Sequence, residues 1–229
     1  MMIQKTDKRP QGVRAVIFDL DGTLLDTVPD LGASANVALR RFAMPERPLE
    51  DYRALIGHGI RNLVRQAVPE GTTEEQFEQV LAFYLAYYPE HCAEKTAVFP
   101  GIRELIKKLA ESGYTLGVLS NKTEATTRKI IAHFFPDAPF RLVWGNNGAR
   151  PLKPAPDAGR ELCAALTLAP EEILYLGDGD SDMEFASKMG FYAAGAAWGY
   201  RSREALAQNG ADVILENAVE LVGLLSPEG

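Results

Sequence analysis

The stretch V-R-A-V-I-F-D-L-D-G-T-L-L-D-T, residues 13–27, is an apolar run that ends abruptly in two carboxylates and a glycine. Its apolar part, Val13 and residues 15–18, predicts a short strand buried on both faces, as strands of parallel sheets are. The strand would bring Asp19 and Asp21 to its carboxyl end, where open α/β sheets bind ligands. Gly22 lets the backbone turn sharply at that point. The stretch therefore predicts a parallel sheet with a ligand site at the end of its first strand.

Turn chemistry offers an alternative explanation for the same residues. Asp, Gly and Thr after a strand are also ordinary turn and helix N-cap residues. A single D-x-D-G-T is explained about equally well by either reading, so residues elsewhere in the chain must decide between them.

Composition limits the classes of function. The 229 residues are enough for one α/β domain, with or without a smaller insert, and 24 Lys plus Arg against 31 Asp plus Glu give a net charge of −7. This balance argues against nucleic acid as a partner. Cys92 and Cys163 lack the spacing of a zinc site or a disulfide framework. Residues 1–12 are polar and are interpreted as a frayed terminus, and no apolar run reaches membrane-spanning length. We therefore expect a cytoplasmic protein without membrane contacts.

A long helical block follows the first motif. Apolar residues recur there at helical spacing, prolines and glycines divide the pattern into several helices, and no strand signal interrupts it. About seventy residues are too many for a simple crossover between neighbouring strands. We therefore predict an inserted all-α subdomain over residues 28–95, with residues 1–27 and 96–229 forming the sheet domain.

Strands and helices alternate through the rest of the chain. Helices are predicted from 102 to a cap at Gly113, at 124–134 and at 157–167, and strands at 114–119, 140–144, 173–176, 191–195 and 212–215. This alternation implies right-handed crossovers and a parallel, doubly wound sheet of the α/β class.

Polar residues follow several of these strands. They are Asp19 and Asp21, Ser120, Lys153 in a proline-rich loop, and Asp178 with Asp182. Each has a structural alternative: Ser120 as a helix N-cap, Lys153 as a solvated lysine, and residues 178–182 as a polar turn. Each residue alone is more often structural than functional, so only their combination indicates a site at the ends of the strands.

The order and spacing of these residues resemble the four motifs of the haloacid dehalogenase (HAD) superfamily of phosphatases, and the resemblance covers nearly the whole chain. It implies a Rossmann-like sheet domain in which Asp19 is the nucleophile that forms an aspartyl phosphate. Asp21 would be the general acid and base, Ser120 a donor to the phosphoryl group, and Lys153 a cation that offsets the negative charge.

The same resemblance implies a Mg²⁺ ion held by Asp19, Asp178 and Asp182, together with the main-chain carbonyl of Asp21. An oxygen-rich set of few carboxylates suits Mg²⁺. A calcium loop is excluded, because an EF-hand would need Gly at the place of Met183 and Glu at that of Met189. The resemblance gives no role to Asp180, and we expect its side chain in solvent rather than in the water shell of the metal.

The place of the helical block resembles the HAD subgroup with a helical cap, which excludes water and bulky substrates and favours a small phosphorylated metabolite. The sequence I-G-H-G-I-R-N-L, residues 56–63, resembles the cap loop of bacterial phosphoglycolate phosphatases. The resemblance implies that phosphoglycolate is the substrate. The predicted substrate-binding residues are Gly22, Thr23, Asn121, Gly57, His58, Arg61 and Lys122. Two alternatives stay open: residues 57–59 as a helix–helix turn, and Arg61 on a solvated helix face.

Two other functions remain open at this point. A sugar phosphomutase of the β-phosphoglucomutase type shares all four motifs, and a non-catalytic HAD-like binding or regulatory protein would be expected to lack one of them. A haloalkanoate dehalogenase would not need Asp21, and a phosphonoacetaldehyde hydrolase would need a cap lysine, which residues 28–94 lack. The sequence leaves the oligomeric state open between monomer and homodimer.

Overall fold

The computed structural model describes residues 9–226, so most of the segment interpreted as a frayed terminus lies outside the described residues. Six strands form one parallel sheet: β1 (Ala15–Phe18), β4 (Thr115–Thr123), β5 (Phe140–Asn146), β6 (Ile173–Gly177), β7 (Tyr192–Ala196) and β8 (Val213–Leu215). Their order across the sheet is β5-β4-β1-β6-β7-β8. The predicted parallel α/β fold is confirmed.

Helices cover both faces of the sheet because its central strand is apolar on both sides. Val16 and Phe18 of β1 pack into one hydrophobic layer, and Ala15 and Ile17 pack into the other. All four side chains are fully buried. The helices of the sheet domain are α5 (Ile102–Glu111), α6 (Glu124–Phe134), α7 (Asp157–Leu166), α8 (Asp180–Met189), α9 (Arg203–Gln208) and α10 (Val219–Leu225).

The strand order changes direction at β1, which lies between β4 and β6. In doubly wound sheets the crevice at such a switch point lies beyond the carboxyl ends of the strands and holds the ligand. The residues after β1 and β6, and the end of β4, therefore meet at one place.

A helical block connects β1 to the rest of the sheet. It contains α1 (Val28–Arg41), α2 (Tyr52–Leu55), α3 (Ile60–Ala67) and α4 (Glu74–His91). Buried side chains from all four helices belong to a continuous hydrophobic cluster, which includes Leu31, Tyr52, Leu63 and Phe77. We propose that residues 28–95 form the cap predicted from the sequence.

A two-stranded antiparallel ribbon ties the two ends of the cap together. Its strands are β2 (Leu25–Asp26) and β3 (Ala97–Val98). Behind it, the buried carboxylate of Asp30 accepts hydrogen bonds from the backbone N–H groups of residues 94, 95 and 96 at 2.8–3.0 Å. Strands of two residues are too short to leave a period in the sequence, and the ribbon was not predicted.

Strand β4 continues past Leu119, where the sequence predicts its end, to Thr123. The extension arises because β5 passes very close to it, with Thr123 paired to Asn146. A Cβ on Gly145 would lie 2.6 Å from the Lys122 carbonyl oxygen, so only glycine permits this approach. Ser120, Asn121 and Lys122 are thus held on a strand rather than in a loop.

Two expectations from composition concern thiols and membranes. Cys92 and Cys163 are both free. Within residues 9–226, no helix combines the length and the apolar character needed to cross a membrane.

Candidate active site

Three carboxylates converge beyond the ends of β1 and β6. Asp19 follows β1, Asp178 follows β6, and Asp182 lies in the first turn of α8. One oxygen from each lies within 4.8 Å of the others. All three side chains are buried, and the sequence places all three in one predicted site.

Lys153 bridges two of these three carboxylates, those of Asp19 and Asp182. Its Nζ is 2.8 Å from Asp19 Oδ1 and 2.7 Å from Asp182 Oδ1. Nζ also donates to the hydroxyl of Tyr175 at 2.6 Å, and that hydroxyl donates to the Leu119 carbonyl at 2.9 Å. Tyr175 was missed in the sequence because an aromatic residue in a buried strand is typical of core packing. The long-range bond from Lys153 is what gives it a place in the site.

The crowding of carboxylates shifts their affinity for protons. Burial raises the pKa of Asp19 to about 7, against the opposing charge of Lys153 and with a further increase from Asp182. Burial, with the charges of Asp182 and Asp19, raises the pKa of Asp178 well above its ordinary value. Burial alone would lower the pKa of Lys153, but the charges of Asp182 and Asp19 outweigh it and raise that pKa.

These shifts identify an uncompensated negative charge. Three buried carboxylates lie together, one ammonium group contacts two of them, and burying anions without a cationic partner is costly. A hard divalent cation with oxygen ligands supplies the missing charge. The residues present therefore fit a divalent metal.

The surroundings of Asp178 explain two of the predicted substrate-binding residues. Thr23 Oγ1 donates to Asp178 Oδ1 at 2.9 Å. Gly22 has φ +86°, and a Cβ there would lie 2.2 Å from Asp178 Oδ2. Both residues thus position a carboxylate of the cluster, and neither lines the cavity that lies above the cluster. Their predicted contact with substrate has no support from this placement.

Asp21 has a separate environment from the acidic cluster. Lys122 Nζ lies 2.9 Å from Asp21 Oδ1, and Thr27 Oγ1 donates to the same oxygen at 2.7 Å. Lys122 is itself buried, and its ammonium lies 4.7 Å from the centre of the Tyr88 ring in the cap. Among the described residues the Asp21 carboxylate is not part of the convergent metal-ligating set, and the contact through its main-chain carbonyl stays a prediction.

The end of β4 connects the sheet to the cap. Asn121 donates to the Gly57 carbonyl at 2.8 Å and to the Lys153 carbonyl at 3.0 Å, and its own side-chain carbonyl accepts from the Lys153 N–H at 2.8 Å. Its amide therefore holds the cap loop and the lysine loop in place. Ser120 is buried and accepts from the Lys122 N–H at 3.2 Å. Both side chains line the cavity above the acidic cluster.

That cavity has a volume of about 30 Å³, roughly the space of two water molecules. Its floor is polar and its roof is aliphatic. The polar residues are Asp19, Asp21, Ser120, Asn121, Lys122, Lys153, Ser181 and Asp182, and the apolar and glycine residues are Leu31, Ile56, Gly57, Gly59, Ile60 and Leu63. The cap thus closes over the site with apolar surface.

Two cap residues predicted to contact substrate do not line this cavity. His58 Nε2 lies 3.3 Å from Asp180 Oδ2, at the contact between the cap and α8. Arg61 lies on the outer face of α3, where it pairs with Glu74 and Glu78 and is 59% exposed. Arg61 therefore occupies the solvated position that the sequence left open as its alternative.

The sequence predicts that the Asp180 side chain lies in solvent, but in the structure its carboxylate contacts other side chains. As the first residue of α8 it lies directly below the cap loop, and its carboxylate contacts both His58 and Arg201. The solvent reading failed because these partners are far away in the sequence.

The fold and the site define a family. Residues 16–196 match the family model of the haloacid dehalogenase-like hydrolases, and the chain belongs to this family. The resemblance noted in the motifs is thereby confirmed, as is the expectation that the chain is a hydrolase of this kind.

Particular relatives refine this classification. The chain is 31% identical to a phosphoglycolate phosphatase of Mannheimia succiniciproducens, over 91% of this chain and 96% of the relative. It is also 31% identical to phosphoglycolate phosphatase 1 of Pseudomonas aeruginosa, over 91% of this chain and 78% of the relative. A solved structure from Lactobacillus delbrueckii subsp. bulgaricus superposes with a TM-score of 0.87 at 30% identity, covering 95% of this chain and 100% of that one.

Proposed function

We propose that this protein is a Mg²⁺-dependent phosphatase that hydrolyses a small phosphorylated metabolite, with phosphoglycolate as its preferred substrate. The observation that carries the proposal is the arrangement of Asp19, Lys153 and Asp182 at the floor of a small cavity, with Asp21 at its side. Similarity to phosphoglycolate phosphatases over nine-tenths of the chain supports the choice of substrate.

Two carboxylates divide the chemistry between them. Asp19 attacks phosphorus through a carboxylate oxygen, the bond to the leaving oxygen breaks, and Asp21 gives that oxygen a proton. Asp21 then accepts a proton from water, whose oxygen attacks the aspartyl phosphate and releases phosphate and Asp19. Asp21 is suited to this role because Lys122 and Thr27 fix its carboxylate at the cavity wall.

The remaining groups stabilise charge. Lys153 favours the ionised form of Asp19 and orients its carboxylate, and Ser120 is placed to donate to the phosphoryl oxygens. Asp19 and Asp178, with Asp182, would hold Mg²⁺. The metal, when bound, offsets the charge of the phosphoryl oxygens.

Lys122 is the cation best placed for the substrate carboxylate. It lines the cavity, and its contact with Asp21 uses one of its three donors. His58 and Arg61 are committed to acidic partners outside the cavity. We therefore assign carboxylate binding to Lys122 rather than to His58 or Arg61, which the sequence also offers as candidates.

The shape of the cavity disfavours a sugar substrate. A polyhydroxylated ring needs many hydrogen-bonding partners, whereas the roof presents Leu31, Ile56, Ile60 and Leu63. A sugar phosphomutase must also bind a second phosphate. The cations that line this cavity are Lys122 and Lys153, and both are already paired with carboxylates, which disfavours a second phosphate site there.

Phosphate release from a panel of phosphate esters tests the proposal. With Mg²⁺ present, we expect phosphoglycolate to be hydrolysed with a kcat/KM at least about tenfold above that of glucose 6-phosphate, and EDTA to abolish both activities. Interconversion of hexose phosphates without phosphate release would indicate a mutase instead. Absence of turnover on the whole panel would indicate a binding protein.

Metal binding is tested without turnover by thermal melting. We expect Mg²⁺ to raise the Tm of the wild type, and Asp178→Ala to remove most of this increase, because it deletes one of few carboxylate ligands. Glu184→Ala, on the exposed side of the neighbouring helix α8, serves as the matched control and should respond like the wild type. An equal increase in Asp178→Ala would exclude Asp178 as a ligand.

The Tm increase should also depend on pH. The raised pKa values of Asp19 and Asp178 mean that the metal-free folded protein takes up protons that the unfolded chain has already lost. Their contribution to stability therefore falls as pH rises through the folded-state values, and Mg²⁺ must displace those protons at low pH. The increase should be larger at pH 8 than at pH 5.5.

A further inference from the structure

The segment that follows β7 is fixed to the catalytic side of the sheet domain. Trp198 Nε1 donates to the Thr23 carbonyl at 3.0 Å. The N–H of Tyr200 donates to Asp178 Oδ2 at 2.8 Å, and its hydroxyl donates to Asp26 Oδ1 at 3.1 Å. The backbone around residue 200 is therefore held by the loop that follows β1, by the acidic cluster and by the ribbon at the base of the cap.

Arg201 reaches from this fixed segment to the cap. Its guanidinium donates to the carbonyls of Arg53 at 2.7 Å, Ala54 at 3.2 Å and Ile56 at 2.8 Å. These carbonyls lie at the C-terminus of α2, where helix carbonyls lack partners within the helix and a positive charge is favourable. The Arg201 side chain is only 17% exposed, and its bond to the Ile56 carbonyl is partly buried.

Asp180 links this contact to the glycine loop. Arg201 Nε lies 3.6 Å from Asp180 Oδ1, a buried oxygen without a hydrogen bond among the described residues. The other carboxylate oxygen lies 3.3 Å from His58 Nε2. Arg201, Asp180 and His58 thus form a continuous polar contact between the two parts of the molecule, which we call the clamp.

We propose that Arg201 is a positioning residue that holds cap residues 53–58 against the sheet domain and so fixes the roof of the catalytic cavity. Ile56 and Gly57 line that cavity, and Ile56 is one of the three residues whose carbonyls Arg201 binds. Without the clamp, two contacts to the Gly57 carbonyl would still hold the roof: one from Ser181 at 3.4 Å and one from Asn121 at 2.8 Å. For its kinetic test the proposal rests on the proposed phosphatase function.

Amide hydrogen exchange tests the clamp directly. In Arg201→Met, which keeps the length of the apolar stem, we expect residues 53–60 to exchange at least about tenfold faster than in the wild type. Arg203→Met is the matched control, because Arg203 lies two residues away and pairs with Glu216 at the surface. Unchanged exchange of residues 53–60 in Arg201→Met would overturn the proposal whether or not the protein is a phosphatase.

Kinetics separate positioning from a general loss of stability. We expect Arg201→Met to lower kcat/KM for phosphoglycolate by roughly 10- to 100-fold, since small misplacements of a closing element carry costs of this size. Hydrolysis of p-nitrophenyl phosphate, a bulky ester that gains less from a closed roof, should fall much less. An equal loss on both esters would overturn the positioning role.

Arg201→Lys guards against a variant that fails to fold. It keeps the charge but replaces the planar fork by a single ammonium group, which cannot reach three carbonyls in the same way. We expect exchange and the ratio of the two kcat/KM values to lie between those of the wild type and Arg201→Met. Values equal to those of the wild type would show that charge alone is sufficient. They would contradict the role given to the three hydrogen bonds from Arg201 to the carbonyls of residues 53, 54 and 56.

Discussion

Replacing Asp19 by Asn is expected to lower kcat by roughly 10⁴-fold or more, an effect on the order of those measured when nucleophiles are removed from other covalent catalysts. A neutral amide is a poor nucleophile and a weaker metal ligand than a carboxylate. The fold should survive, because the amide keeps the shape of the side chain. Phosphate release in the presence of saturating Mg²⁺ measures the effect.

The same variant makes a prediction about stability. Since the pKa of Asp19 is raised to about 7, its ionised form opposes folding of the metal-free protein at higher pH. Asp19→Asn removes that charge, so its Tm without metal at pH 8 should equal or exceed that of the wild type. Asp157→Asn, at an exposed position on α7, is the control.

For the kinetic prediction, retention of a tenth of the wild-type activity in Asp19→Asn would rule out Asp19 as the nucleophile.

Replacing Lys153 by Met is expected to be the most damaging change to stability. It leaves Asp19 and Asp182 buried without their shared cation, and breaking a buried ion pair from one side costs about 3–5 kcal/mol. For a chain of this size that loss corresponds to a Tm decrease of about 6–20 °C. Activity should be lost as well, because Lys153 also orients Asp19, the nucleophile of the proposed mechanism.

The decrease in Tm should depend on pH and on metal. Protonated carboxylates do not repel one another, so the difference between Lys153→Met and the wild type should shrink from pH 8 to pH 5.5. Added Mg²⁺ should recover part of it by supplying positive charge to the same carboxylates. Lys188→Met, on the exposed face of α8, should melt like the wild type. A pH-independent difference would mean that lost packing, rather than lost charge, is responsible.

The sheet and its acidic edge were predictable from sequence because both are local signals. A strand that is buried on both faces reads as a short apolar run, and β1 and β6 each end at the carboxylates that the site uses. The rule that ligands bind beyond the carboxyl ends of parallel strands then brings Asp19 and Asp178 together without any knowledge of distances.

The contacts between cap and sheet domain were not predictable, because they depend on partners far apart in the chain. His58 and Arg61 both stand close to the glycine loop in sequence, yet one faces Asp180 and the other faces solvent. Arg201 is separated from its carbonyl partners by about 145 residues, and no local pattern in the sequence indicates that pairing. Lys122 was expected near the substrate, but its contact with Asp21 required the extended β4.

The ribbon of β2 and β3 has a consequence for how such enzymes diversify. It places the entrance and exit of the cap side by side, with Leu25 opposite Val98. Any inserted segment whose two ends match this single pair of strands joins the sheet without disturbing the register of β1, β4 or β6. The cap, and with it the range of accepted metabolites, can therefore change during evolution while the residues of the sheet domain that form the acidic cluster stay the same.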